Sequence, residues 1–187
     1  MTANRIKEVA LAHFARYGYA GTSLTNIAND VGIKKPSIYA HYKGKEELYF
    51  VCLDDALNKD LSYIREHILQ HQQQPVEYIL YHLLSSYGER YRNNTEAAFW
   101  LRSSFFPPDE LKERIVEKGN AYVIEVARLL YPLFEQVSFP FVKAEDALEA
   151  YLCLFDGLII ELLYAGFDKF QKRLNASWGI YWRGTSI

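Results

Sequence analysis

The sequence predicts an all-α protein, with three short helices at the N-terminus and a larger helical region behind them. Apolar residues recur with a period of about 3.6 almost everywhere and hardly anywhere with a period of about 2. Helix-ending residues punctuate the pattern at Gly18, Gly32, Pro75 and Pro107-Pro108. At 187 residues, half of them hydrophobic, the chain is long enough to bury a substantial core as one compact unit or two small ones.

From Ala3 onward, Ile6, Val9, Ala10, Phe14 and Tyr17 fall at helical spacing, and Gly18 stops the first helix. Ser23 N-caps a second, Leu24–Val31, with Ile27, Ala28 and Val31 inward and Gly32 at its end. Lys35-Pro36-Ser37 opens a third over residues 34–42, with proline in the first turn, where its missing N–H costs nothing. Ile38 and Tyr42 are its core-facing residues. The connection of about three residues between helices two and three has the length of a helix-turn-helix turn.

A fourth helix covers 46–69, and the glutamine-rich stretch 70–75 that ends it is the only linker-like segment. Helices follow at 76–91 and 96–105, with a restart at PPDELKERI and a further helix over 120–136. The last two cover 144–165 and 167–182. These boundaries divide the chain into domains of 1–47 and 48–187.

The formal net charge of -2 hides an asymmetry. Residues 1–48 carry 7 Lys+Arg against 4 Asp+Glu, whereas the remainder carries 14 against 19. Between Ile33 and Lys45 stand Lys34, Lys35, Lys43 and Lys45 with no acid, a local footprint for an anionic partner, nucleic acid first. On the third helix, Lys35 and Ser37 can hydrogen-bond base edges, and Pro36 and Ala40 can touch a thymine methyl. Tyr39 and His41 reach phosphates, Ser23 and Thr25 do so from the start of helix two, and Lys45 does so with the fourth helix N-terminus.

Residues 18–57, GYAGTSLTNIANDVGIKKPSIYAHYKGKEELYFVCLDDAL, resemble the N-terminal DNA-binding domain of the TetR family of bacterial transcriptional regulators. The likeness rests on FARYGYAGTS, IANDVGI and IYAHYKGKEEL. It implies that Lys35, Pro36, Ser37 and Ala40 stand where the family reads bases. Ser23, Thr25, Tyr39, His41 and Lys45 then stand where it holds phosphates. It also implies a cytoplasmic repressor with a helical ligand-binding and dimerisation domain. Such a repressor binds a palindromic operator in double-stranded DNA as a homodimer whose last two helices form a four-helix bundle with their twins. Leu154, Leu158, Leu162 and Ala165 lie along one side of the penultimate helix and suit that role.

Aromatic residues are dense after residue 76, and many carry hydroxyls in need of partners. A small-molecule effector that is lipophilic and aromatic, neutral or cationic, is the matching ligand. Tyr87, Trp100, Phe105, Tyr122 and Phe155 are the expected lining, with Glu96, Glu125, Asp156 and Glu161 as acids set among apolar residues. FFPPDEL, 105–111, is a candidate hinge. No cofactor or metal is expected: His67 and His71 have the spacing of a two-ligand pair, but no third ligand is evident and a solvated helix end is the simpler reading.

Cys52 and Cys153 lack metal-type spacing and suit a reduced compartment. The apolar run 147–167 is interrupted by Glu149, Asp156 and Glu161, which speaks against a membrane span. No nucleophile elbow, phosphate loop or zinc-protease motif is present, so an enzyme is only a rival reading. A protein-interaction module without operator binding is the other.

Overall fold

The structure is a computed structural model that describes residues 2–186. Among these residues every regular element is helical: α1 (Thr2–Gly21), α2 (Leu24–Val31), α3 (Lys35–Ile38), α4 (Lys45–Gln70), α5 (Val76–Asn93), α6 (Thr95–Phe105), α7 (Lys112–Phe134), α8 (Ala144–Tyr164) and α9 (Phe167–Ser186). A 3₁₀ turn, Asp109–Leu111, leads into α7 after the two prolines. No helix among the described residues is long and apolar enough to cross a membrane.

Two compact units emerge. One gathers the residues up to Asp60 together with Arg92–Val116, and the other holds Leu61–Tyr91 and the residues from Glu117 onward. The first unit therefore reaches past residue 47 to take in the start of α4, all of α6 and the first turns of α7.

The core of the first unit is aromatic. Phe14 and Tyr49 meet edge to face with centroids 5.0 Å apart, and Tyr49 meets Phe99 at 5.3 Å and Tyr19 at 5.2 Å in the same way. These edge-on contacts suit the ring quadrupoles and tie α1, α4 and α6 together. The phenol of Tyr49 donates to Ser103 Oγ at 2.9 Å, which satisfies its one buried polar atom. Around this cluster Ile6, Ala10, Ile27, Ile38, Leu48 and Leu53 are fully buried.

In the second unit Tyr151 is buried between α8 and its neighbours and donates to Leu80 O at 2.9 Å. Tyr181 donates to Ala147 O and Tyr81 to Asn175 Oδ1. Hydroxyls that the sequence suggested would want a ligand are thus satisfied by the protein. Gly88 marks the close approach of α5 to α9, because a Cβ there would sit 2.7 Å from the ring of Phe170.

Two boundaries and one burial differ from the sequence reading. Helix α3 is a single turn rather than a helix over 34–42: the amides of Tyr39 and His41 bond three residues back, to Pro36 O and Ile38 O, so the chain tightens and leaves the helix. Helix α7 runs unbroken through residue 120, because Ile115, Tyr122, Val126, Leu130 and Leu133 form one continuous buried stripe. His67 is buried rather than solvated, with Nε2 donating to Ile79 O at 3.0 Å and the His71 ring 4.4 Å away.

Candidate nucleic-acid interface

The geometry of residues 18–48 follows from a chain of local hydrogen bonds. Gly18 breaks α1 with φ 69 and ψ 178, and Thr22 Oγ1 donates back to Gly18 O at 2.7 Å, fixing the exit toward α2. Ser23 caps α2 by accepting from the Asn26 amide at 3.1 Å. At the other end Gly32 is left-handed (φ 80, ψ 30), its amide bonds Asn29 O and the next amide, Ile33, bonds Ala28 O. That pair of bonds is a Schellman ending, which turns the chain sharply while satisfying the carbonyls of Ala28 and Asn29. Asp30 Oδ2 lies 2.7 Å from His13 Nε2 and ties the end of α2 to α1.

Helix α3 is anchored from beneath by Ile38, which is 0% exposed, and from behind by the Tyr42 phenol, which donates to Ala3 O at 3.0 Å. With that side held, Lys35, Pro36, Ser37, Tyr39, Ala40 and His41 are all exposed, and Tyr39 is 52% exposed. Thr25 is exposed at the start of α2, and Ser23 is half-buried because its oxygen serves the cap. The structure thus gathers eight of the nine candidate residues along the turn-helix surface of α2 and α3.

Lys45 is different. It is half-buried, its ammonium donates to Tyr19 O at 2.9 Å and lies 4.1 Å above the Tyr19 ring. The α4 N-terminus is also less open to an anion than expected: Glu47 accepts from the Lys43 amide, and Glu46 is paired with Arg114. The two acids in the first turn of α4 thus stand beside the place that the sequence reading offered to a phosphate.

The residues expected to line an effector pocket are divided. Tyr87, Tyr122 and Phe155 belong to the second unit, where Tyr87 meets Phe155 edge to face at 4.7 Å. Trp100 and Phe105 belong to the first. Three of the four candidate acids already have cations. Lys59 donates to Glu96 at 2.9 Å and holds its carboxyl below the usual range, Arg128 does the same for Glu125, and Arg173 pairs with Glu161. Asp156 has no cation among the described residues, and desolvation raises its carboxyl.

The stripe expected at a dimer seam is divided in its exposure. Leu158 and Leu162 are each 2% exposed and serve the core of their own chain, while Leu154 is half-buried and Ala165 exposed. The outer side of α8 and α9 forms a shallow groove that includes Cys153, Leu154, Gly157, Ala176 and Ile180, and Ile180 is 72% exposed. The two cysteines are free: burial pushes the Cys52 thiol up to about 12, whereas Cys153 lies on the outer side. No group of three metal-ligating side chains occurs among the described residues.

Residues 6–52 match the family described as bacterial regulatory proteins, tetR family. The chain is 32% identical over 89 residues to the biofilm operon icaADBC HTH-type negative transcriptional regulator IcaR of Staphylococcus epidermidis, covering 47% of this chain and 48% of that one. It is 40% identical over 58 residues to IcaR of Staphylococcus aureus, 29% of this chain and 31% of that one. The match thus spans half or less of the length of these relatives. Among solved structures, a TetR transcription regulator from Haloarcula marismortui superposes with a TM-score of 0.77 at 18% identity, over 98% of this chain and 97% of that one. NalD, the secondary repressor of the MexAB-OprM multidrug efflux pump in Pseudomonas aeruginosa, does so at 0.72 and 20%, over 99% and 97%. Residues 6–52 thus carry the N-terminal motif of the tetR family of bacterial regulatory proteins, and the helical fold over the whole length is like that of the two solved regulators.

Proposed function

We propose that the protein is a transcriptional repressor that binds a palindromic operator as a homodimer and is released by a small-molecule effector. The observation that carries the DNA reading is the row of exposed residues on α3 and the turn that follows it, Lys35, Pro36, Ser37, Tyr39, Ala40 and His41, presented by the buried anchor Ile38. A one-turn helix with small and flexible side chains can sit deep in a major groove, with Lys35 and Ser37 on base edges and Tyr39 and His41 on phosphates. Lys45 acts through Tyr19, holding the entry to α2, and reaches phosphate only with the ammonium N–H bonds left over. The negative regulation named for IcaR and the repression named for NalD favour repression over activation.

The homodimer buries the outer side of α8 and α9, around Ile180, Ala165 and Leu154, rather than Leu158 and Leu162. The effector is a lipophilic aromatic compound in the second unit, seated against Tyr87 and Phe155, with Asp156 the acid available to a cationic one. A neighbour of this fold from Bacillus subtilis, FadR, was solved with stearoyl-CoA, at a TM-score of 0.71 and 14% identity over 95% of this chain and 96% of that one.

The test is a fluorescence anisotropy titration against an operator selected from random duplexes. Substituting Lys35→Ala or Ser37→Ala should relax preference at particular base pairs by about 1–3 kcal/mol. Tyr39→Phe should weaken all sequences alike. Silence of all three substitutions would remove α3 from the DNA interface.

A further inference from the structure

A cavity of about 310 Å³ opens inside the first unit, against the C-terminal end of α1 and the face of α6. Its size is that of a small-molecule pocket at the compact end of the range. One wall is the aromatic cluster already described, Phe14, Tyr19, Tyr49 and Phe99. The rim carries Phe106, 49% exposed, beside Pro108. A large ring left half in water at the mouth of an aromatic cavity gains burial when a flat apolar body enters.

The charge of the lining is one-sided. Arg16 and Arg102 both border the cavity, and no acid does. Neither guanidinium has a carboxylate partner among the described residues, and Arg16 lies only over the ring of Tyr17, at 5.1 Å. The nearest acids act at its edge: Glu110 and Glu46 add to the burial that raises the Tyr19 phenol, and Glu46 is already paired with Arg114. Two arginines without carboxylate partners at the border of an aromatic cavity select a planar anion, since the guanidinium fork matches a carboxylate.

We propose that this cavity binds a small aromatic carboxylate, its ring against Phe106 and the Tyr19–Tyr49–Phe99 wall and its carboxylate on Arg16 and Arg102. The site is separate from the effector site proposed in the second unit, and its regulatory meaning rests on the reading of α2 and α3 as the DNA interface. The coupling is local. Tyr19 lines the cavity, and its carbonyl holds Lys45 at 2.9 Å, while Gly18, also in the lining, accepts the Thr22 hydroxyl that sets the start of α2. An occupant that shifts Tyr19 therefore moves both ends of the helix-turn-helix segment.

The test is isothermal titration of the full chain, without DNA, with 2-naphthoate and with the uncharged 2-naphthalenemethanol. We expect 2-naphthoate to bind more tightly by about tenfold, the scale of a hydrogen bond to a charged group. Arg16→Gln and Arg102→Gln, both at exposed positions, should each remove most of that preference and leave the alcohol unchanged. Arg173→Gln, in the second unit, should alter neither ligand. No binding of 2-naphthoate, equal binding of the two compounds, or a preference that survives in both cavity variants would overturn the proposal. Because DNA is absent, none of these results depends on operator binding. In a second titration, 2-naphthoate should change operator affinity in the wild type and not in Arg102→Gln. An operator affinity indifferent to bound naphthoate would overturn the coupling while the site stands.

Discussion

The segment from Gly18 to Tyr42 and the pair α8 and α9 are both helical, yet they are specified in opposite ways. In the first, each bend is written by one residue with a local job: Ser23 caps, Gly32 turns, Pro36 opens α3 and Ile38 anchors it. In the second, α8 is apolar on nearly every side, with Ala147, Leu148, Tyr151, Leu158, Ile159 and Leu162 inward and Ile160 and Tyr164 outward. Local bonds fix a conformation with no knowledge of the rest of the chain. An apolar helix has no such mark, and only its neighbours decide which side is buried.

That contrast can be broken most strongly at Leu158. Substitution to alanine should destabilise the chain by about 2–5 kcal/mol in urea unfolding, the cost of a core cavity, while Ile180→Ala should leave the unfolding of its own chain within about 0.5 kcal/mol, as exposed sites do. Equal effects would mean that the inward side of α8 has been misassigned.

In the local segment the largest effect belongs to Gly32→Ala. Its Cβ would meet nothing within 4 Å, so the whole cost is that of the left-handed backbone, about 1–2 kcal/mol. Ser23→Ala should follow at about 1 kcal/mol through loss of the α2 cap. Ser23→Asp, which keeps an acceptor for the Asn26 amide, should retain the stability while weakening any phosphate contact. Chemical denaturation paired with DNA titration separates the two roles.

The smallest effect is one of pH. Burial lowers the pKa of His67 below its ordinary 6.5, against the opposing bond to Ile79 O, and the charges of His71 and His82 lower it further. The unfolded chain therefore takes up this proton first as pH falls. The stability contributed by neutral His67 is complete above about 6.5 and declines as pH drops toward the lower folded value. Thermal unfolding between pH 7 and 5 should fall less steeply in His67→Gln than in the wild type, and parallel curves would show that His67 is not the group responsible.

The same contrast explains what was legible beforehand. Helix α2 was readable to the residue because its cap and its Schellman glycine are both sequence signals. The one-turn length of α3 was not, because Tyr39 to His41 tighten through backbone bonds that no side chain announces. At the interface, exposure of Lys35, Ser37 and Tyr39 followed from helical spacing, whereas the capture of Lys45 by Tyr19 depends on a contact 26 residues back in the chain. The cavity beside Arg16 and Arg102 was invisible for the same reason: its lining comes from three stretches far apart in sequence. A signal did exist in FARYG and WLRSSFF, where an arginine stands within a few residues of several rings in each.

The single-turn helix α3 also bears on how such a protein changes over generations. Ile38 and Tyr42 do the holding, while Lys35, Pro36, Ser37, Tyr39 and Ala40 face outward and take no part in the core. Surface exchanges of that kind are close to neutral for stability. Descendants of this gene can therefore try new side chains at those five positions without risking the scaffold, and the vocabulary of sites they recognise is free to drift while the grammar of the fold stays fixed.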